Sequence, residues 1–266
     1  MAILALQSAA SGLSALNTAL DVTSNNLANV NTTGFKSSRV NFQDLLYVER
    51  AQPGVENANG DQRPIGLYVG LGVKVSGTQM NFSQGSPITG NNMDLMIKGD
   101  GFFRVKVEDS LGKYAYTRAG SFVRNSTGEL VLASSEGRRL EPSIPLPVDA
   151  ISVQVTSDGK VLYTTAGDPS PQEAGQIKLV TFVNPAGLKQ IGESLYAESA
   201  ASGSPAEGDP GTDMRGSLLQ GYTESSNVDP TRELVDLIRT QRAFEMNSQT
   251  IKAADETLRT VAQLVR

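Results

Sequence analysis

Leucine returns every seven residues through the start of the chain, at Leu6, Leu13, Leu20 and Leu27, and Ala9, Leu16, Thr23 and Val30 follow three residues after each. This 3-4 spacing puts all eight on one face of a helix, the seam by which one helix lies along another. A helix of about 28 residues runs roughly 40 Å at 1.5 Å per residue, and nothing adjoining it in the sequence can cover so long a stripe. Its other flank is Ser, Gln, Asn and Thr, with Asp21 the only charge before Lys36. Such a helix needs a partner.

The far end of the chain supplies a candidate. Leu237, Phe244, Ile251, Leu258 and Val265 also recur every seven residues, supported by Leu234, Ala254 and Val261. Asp229-Pro230 is a helix start, with Asp as N-cap and Pro at the first helical position. Asp255 and Arg259 form a favourable i,i+4 pair. The expected fold is α+β, with long N- and C-terminal helices packed as a coiled-coil-like pair and an antiparallel β domain inserted between them.

The first helix is expected to stop near Asn31-Thr32-Thr33-Gly34, with Gly34 as a left-handed cap and Phe35 as its apolar contact. Val40 to Arg50 fits a short helix or a strand. Pro53-Gly54, Asn59-Gly60 and Arg63-Pro64 mark 51–64 as an extended loop or a β excursion. Beyond Gly66 short strands begin, at Val73 and Val75 and again at Met80 and Phe82. Leu95–Ile97 and Phe103–Val107 are expected to form a hairpin across Lys98-Gly99-Asp100-Gly101. Further hairpins are expected between 122–123 and 130–132 and between 151–155 and 161–163, with one more strand over 176–183. Ala197 to Asp213 is too poor in apolar surface to fold alone and reads as a mobile connector. The division is therefore 1–36 and 228–266 as a helical core, 37–92 as an extended or β connector containing 46–64, 93–196 as the β domain, and 197–227 as a loop and return.

Several functions are disfavoured. A net charge of −5 without a cluster of Lys and Arg argues against nucleic acid as a partner. With no Cys and no His, thiolate and imidazole chemistry are both ruled out. Gly99-Asp100-Gly101 lacks the third glycine of a dinucleotide loop, since position 104 is Arg. Ser157-Asp158-Gly159 and Gly208-Asp209-Pro210 miss the calcium-loop spacing. No cofactor or metal is expected. The apolar runs fall short of the ~20 residues of a membrane span, and the first basic residue is Lys36, unlike a cleaved signal peptide. An enzyme would have to rely on Asp, Glu, Lys or Ser, and no polar constellation outside turns and helix faces suggests one. Asn25, Asn26, Asn29 and Asn31 crowd the end of the first helix, either as a fraying polar face or as amides bonding across a helix contact.

Ser24 through Lys36, reading SNNLANVNTTGFK, closely resembles the N-terminal signature of bacterial flagellar rod and hook proteins. The run Gly221-Tyr222 through Ser226-Asn227-Val228-Asp229, with Glu233-Leu234-Val235 and Gln241-Arg242-Ala243-Phe244-Glu245, resembles the matching C-terminal signature. Ile97 to Phe103 and Tyr116 to Phe122 are similar to that family as well. The chain length, Asp44 to Tyr47, Gln52-Pro53-Gly54, Gly66-Leu67 and Gly70 to Val73 are most similar to the distal-rod branch, with proximal rod and hook-type proteins as the alternatives. A cell-envelope enzyme, such as a peptidoglycan hydrolase using Asp or Glu, is the contrasting class.

The resemblance implies a structural subunit of the drive shaft, exported without a cleaved signal and assembled helically across the periplasm to carry torque from motor to hook. It implies terminal helices as the inner core, the β domain as outer wall, and 46–64 as the segment associated with stiffness. The implied partners are further copies of the chain, proximal rod proteins, the hook protein and the surrounding rings, with no nucleic acid and no membrane insertion. The residues expected to carry assembly are Leu6, Leu13, Leu16, Leu20, Asn25, Asn26, Leu27, Asn29, Gly34 and Phe35 at one end, and Leu237, Phe244, Ile251 and Leu258 at the other.

Overall fold

The computed structural model describes residues 2–55, 63–108 and 112–264, which divide into two compact units. The first contains the helices α1 (Ala2–Ala28) and α2 (Pro230–Leu264) with four strands, β1 (Ser38–Asp44), β2 (Tyr47–Ala51), β3 (Leu67–Gly70) and β4 (Val73–Met80). The Asp229 carboxylate caps α2 by accepting from the N–H groups of Thr231 (3.0 Å) and Arg232 (3.3 Å), a contact worth about 1 kcal/mol in typical helices. Gly12 lies beside Asn247, and Asn26 bonds Glu233, so the helices run antiparallel with fourteen residues between the two contacts on each. Outside that pairing, Asp255 and Arg259 make the expected i,i+4 ion pair at 3.0 Å.

α1 ends at Ala28, three residues before the expected stop. The Asn29 carbonyl accepts the Thr32 N–H (3.2 Å) and its side-chain Oδ1 accepts the Thr32 hydroxyl (3.1 Å). Local bonding of this kind competes with the helical ladder. Val30 therefore leaves the seam, and Gly34 is a turn residue rather than a helix cap. The open reading of 40–50 resolves to strand. β2 and β3 form an antiparallel hairpin, with Tyr47 opposite Gly70 and Val48 opposite Val69. The Asn59-Gly60 turn and Val265 lie outside the described residues.

The second unit comprises Asn29–Ser37 and Met80–Val228. Its strands are β5 (Pro87–Thr89), β6 (Leu95–Lys98), β7 (Phe102–Lys106), β8 (Tyr114–Thr117), β9 (Phe122–Arg124), β10 (Leu130–Leu132), β11 (Leu140–Glu141) and β12 (Ala150–Val155). They continue as β13 (Lys160–Thr165), β14 (Asp168–Gln176), β15 (Leu179–Thr181), β16 (Lys189–Gly192), β17 (Leu195–Ala197), β18 (Ala206–Gly208), β19 (Ser217–Gln220) and β20 (Tyr222–Glu224). The largest sheet runs β16-β17-β8-β7-β15-β18, with β11 also on β7, and its neighbours pair antiparallel. Successive side chains of a strand face opposite ways, and here both faces are covered. Phe103, Val105, Leu179 and Leu195 join one apolar cluster, while Phe102, Tyr116, Val180 and Tyr196 join another.

Two expectations change. β6 and β7 do not pair with each other; β6 pairs with β19, and β7 with β8, β11 and β15. Leu95, Met96 and Ile97 are all buried, as are Phe102 and Phe103, so each strand needs neighbours that a two-stranded hairpin could not give. The segment 197–213 is not featureless: β18 completes the sheet edge on β15, and the Arg104 guanidinium meets the Glu207 carboxylate from it. Deleting 204–208 is therefore expected to lower the stability of this unit by about 1–3 kcal/mol, the cost of leaving polar partners unsatisfied, as read by urea denaturation. The β9–β10 and β12–β13 hairpins form as expected.

The second cluster also predicts an alkaline limit. Burial first, then the Glu198 carboxylate, pushes the Tyr116 hydroxyl up to about 12, and burial also raises Tyr196. The folded state keeps the proton while the unfolded chain loses it near the ordinary value of 10.0. That stabilisation is complete below pH 10 and lost as pH rises through about 12. Thermal unfolding measured across this window is expected to show a falling melting temperature, with a shallower fall for Tyr116→Phe.

Candidate assembly site

α1 and α2 pack along each other but leave much of their apolar surface uncovered. Leu6, Leu13, Leu16, Leu20 and Leu27 are only half-buried, and among the described side chains of α1 the buried ones are Ala9, Ala15 and Asn26. On α2, Leu237, Phe244 and Ile251 are half-buried, whereas Leu258 is exposed. Leu234, Val235, Ile238 and Met246 add a further exposed apolar set on α2. The heptad spacing picks out Leu234, whereas Val235, Ile238 and Met246 fall outside its positions.

The asparagines separate into different roles. Asn26 is buried within the first unit, where its Oδ1 accepts the Ser38 N–H (3.0 Å) and its Nδ2 donates to the Ser38 carbonyl (2.8 Å) and to Glu233 Oε1 (3.3 Å). One amide thus fastens α1 to both β1 and α2. Burial holds the Glu233 carboxyl above its ordinary range, with the Asn26 bond pulling it back. Asn25 is exposed on α1. Asn29, Gly34 and Phe35 lie in the second unit, where they form the turns that lead to Lys36.

At Lys36 the structure places a charge cluster that sequence reasoning did not find. Its ammonium donates to Glu224 Oε1 (2.7 Å) and to the Ser83 carbonyl (2.8 Å). Glu224 also accepts the Gly85 N–H on Oε1 (2.8 Å) and Arg118 Nη1 on Oε2 (3.4 Å), while Arg118 Nη2 donates to the Gly99 carbonyl (2.8 Å). The three residues are 1%, 0% and 3% exposed for Lys36, Glu224 and Arg118. Burial pushes the Lys36 ammonium below the usual lysine range, the Glu224 charge and hydrogen bond oppose this, and Arg118 adds to it.

Backbone contacts tighten the same region. Gly34 N–H donates to the Glu224 carbonyl (2.8 Å), Asn227 N–H to the Phe35 carbonyl (3.4 Å), and Ser37 N–H to Asn227 Oδ1 (2.7 Å). Gly34 has φ +68°, and a Cβ there would lie 2.5 Å from the Ala119 nitrogen, so both its conformation and its surroundings demand glycine. The segments where the chain enters and leaves the second unit are thereby fastened side by side. A signal for the cluster was available: Lys36, Arg118 and Glu224 fall in three separate signature stretches, and Lys36 and Arg118 are the only charges in theirs.

The cluster has the chemistry of a structural lock. Each carboxylate oxygen is already engaged, and among the described residues no group of carboxylates could hold a metal. No helix among them is long and apolar enough to cross a membrane.

Three family models match the chain: Flagella basal body rod protein over 6–36, Flagellar hook protein FlgE/F/G D1 domain over 96–177, and Flagellar basal body rod FlgEFG protein C-terminal over 219–264. The matched stretches cover α1 with the Lys36 turn, much of the β unit, and α2, and they define a subunit of the flagellar axis. The chain belongs to the flagellar basal-body rod protein family, in its distal-rod branch. It is 43% identical to the flagellar basal-body rod protein FlgG of Caulobacter vibrioides over 98% of both chains. It is 42% identical to that of Buchnera aphidicola subsp. Schizaphis graminum, over 95% of this chain and 96% of the relative. The FlgG protein of Bacillus subtilis is 40% identical over 98% of each. These relatives are structural rod proteins rather than enzymes.

Proposed function

We propose that the chain is a structural subunit of the distal flagellar rod that assembles helically with copies of itself and transmits torque from motor to hook. The observation that carries this reading is the unfinished burial of α1 and α2. Helical polymers are built from heterologous contacts that do not close, and helices with apolar sets half-covered within one chain offer such contacts. In this proposal the terminal helices form the assembly core as a coiled-coil-like pair, and 93–196 forms the outer wall. The finer partners follow the same logic: proximal rod proteins, the hook protein and the surrounding rings. The proposed location spans the periplasm, reached by export without a cleaved signal.

Sedimentation of the purified chain at rising concentration, with electron microscopy of the pellet, tests the reading. Concentration-dependent polymers of rod-like form are expected. A compact monomer at every concentration, or one that degrades peptidoglycan, would count against it.

A further inference from the structure

The second unit carries an open cleft of about 770 Å³ over one face of its large sheet. That volume lies within the ~300–1,000 Å³ of ordinary ligand sites. On the floor, Arg104 of β7 stands opposite Tyr116 of β8, which in turn pairs with Tyr196 of β17. Tyr114 and Glu198 lie two residues from Tyr116 and Tyr196 and so share that face. One wall is the turn over 199–205, and internal bonds fix it in advance. The Ser199 hydroxyl donates to the Gly187 carbonyl (2.6 Å), and the wholly buried Ser202 hydroxyl donates to the Ser199 carbonyl (2.9 Å). A site already shaped loses little to ordering on binding.

The polar groups of this cleft are unused. Tyr116 is 2% exposed, with its ring edge-to-face against Phe182, and its hydroxyl has no hydrogen-bond partner among the described residues. The Tyr114 and Ser204 hydroxyls and the exposed Glu198 carboxylate have none there either. Arg104 is committed to Glu207. The ionised Glu198 only accepts, whereas the hydroxyls both donate and accept. A carboxylate ligand would be repelled by Glu198, and an ammonium, which cannot accept, would leave the hydroxyl protons unmatched. An apolar occupant would seal every one of these groups away from water without a partner. A sugar hydroxyl donates and accepts at once, and the carbon surface of Ala200 and Pro205 suits the C–H groups of a pyranose ring. We propose that the cleft binds a neutral saccharide, with Glu198 and Tyr116 holding its hydroxyls. Binding involves the β unit alone and stands apart from helical assembly.

Isothermal titration of the unassembled full-length chain with chitotriose and with cellotriose tests the proposal. Saturable binding is expected. Tighter binding of chitotriose identifies acetamido sugars as the source, and equal binding identifies the ring hydroxyls alone. Glu198→Gln should weaken binding about tenfold and Tyr116→Phe about fivefold, as loss of a charged and of a neutral hydrogen bond would. Because Glu198 is exposed, its variant should keep the wild-type urea midpoint, which separates lost binding from lost folding. No saturation by either saccharide at about 10 mM, weaker than any specific site of this size requires, overturns the proposal. Binding that neither variant alters overturns it too. Saturable binding of putrescine or glutarate in place of both saccharides assigns the cleft to a charged ligand and also overturns it.

Discussion

Glu224→Gln is expected to destabilise the β unit by about 3–5 kcal/mol, the usual result of removing one partner from a buried ion pair. The change is nearly isosteric, so packing is kept while the charge that balances Lys36 and Arg118 is removed. Both cations then stay buried without compensation, and the neutral amide can no longer accept as strongly from Gly85 N–H. Urea denaturation followed by tyrosine fluorescence measures the loss. Lys36→Met is expected to act in the same direction, leaving Glu224 with Arg118. The combination of Lys36→Met, Arg118→Met and Glu224→Leu should recover much of the stability, because replacing a whole buried ion cluster with apolar groups is often neutral or favourable. Loss in that triple variant as large as in Glu224→Gln would mean that the residues matter for shape rather than charge.

Leu13→Asp and Leu258→Asp are expected to abolish assembly while leaving the β unit folded. Leu13 is half-buried and Leu258 exposed within one chain, so neither supports the second unit directly. In a polymer each would cover apolar surface of another helix, worth about 1.5–3 kcal/mol for a fully buried leucine. A carboxylate placed there must also be desolvated. Loss of polymer by sedimentation, with an unchanged cooperative transition of the β unit, is the expected pair of results. Leu258→Asp is the more telling of the two, because its effect on the isolated chain should be small. Normal polymerisation of both variants would remove the helical seam from the account of assembly.

The helices were readable because their apolar spacing spans several turns, and Asp229-Pro230 announces the start of α2. The β9–β10 hairpin was readable for a local reason: Asn125 and Gly128 build the turn, with the Asn125 side chain accepting from the Thr127 and Glu129 N–H groups. β6 and β7 misled because a short apolar run beside an Asp-Gly turn looks the same whether its partner is near or far in sequence. β6 finds β19 over a hundred residues away. β18 was hidden because an edge strand of Ala, Glu and Gly needs little apolar content when its neighbour β15 supplies the core. The ion cluster was the least legible feature. A lone Lys, Arg or Glu in a sequence is ordinarily at the surface, and only the fold brings these three within reach of one another.

Their separation along the chain also sets a clock. Lys36 and Glu224 are 188 residues apart, so the lysine has no reason to leave water until most of the polypeptide is present. Contacts of such long range are closed late and slowly. A chain delivered amino end first, from a ribosome or through a narrow conduit, thus carries its own delay: the β unit cannot be sealed while residue 224 is still to emerge. Timing of this kind is written into the positions of three charges.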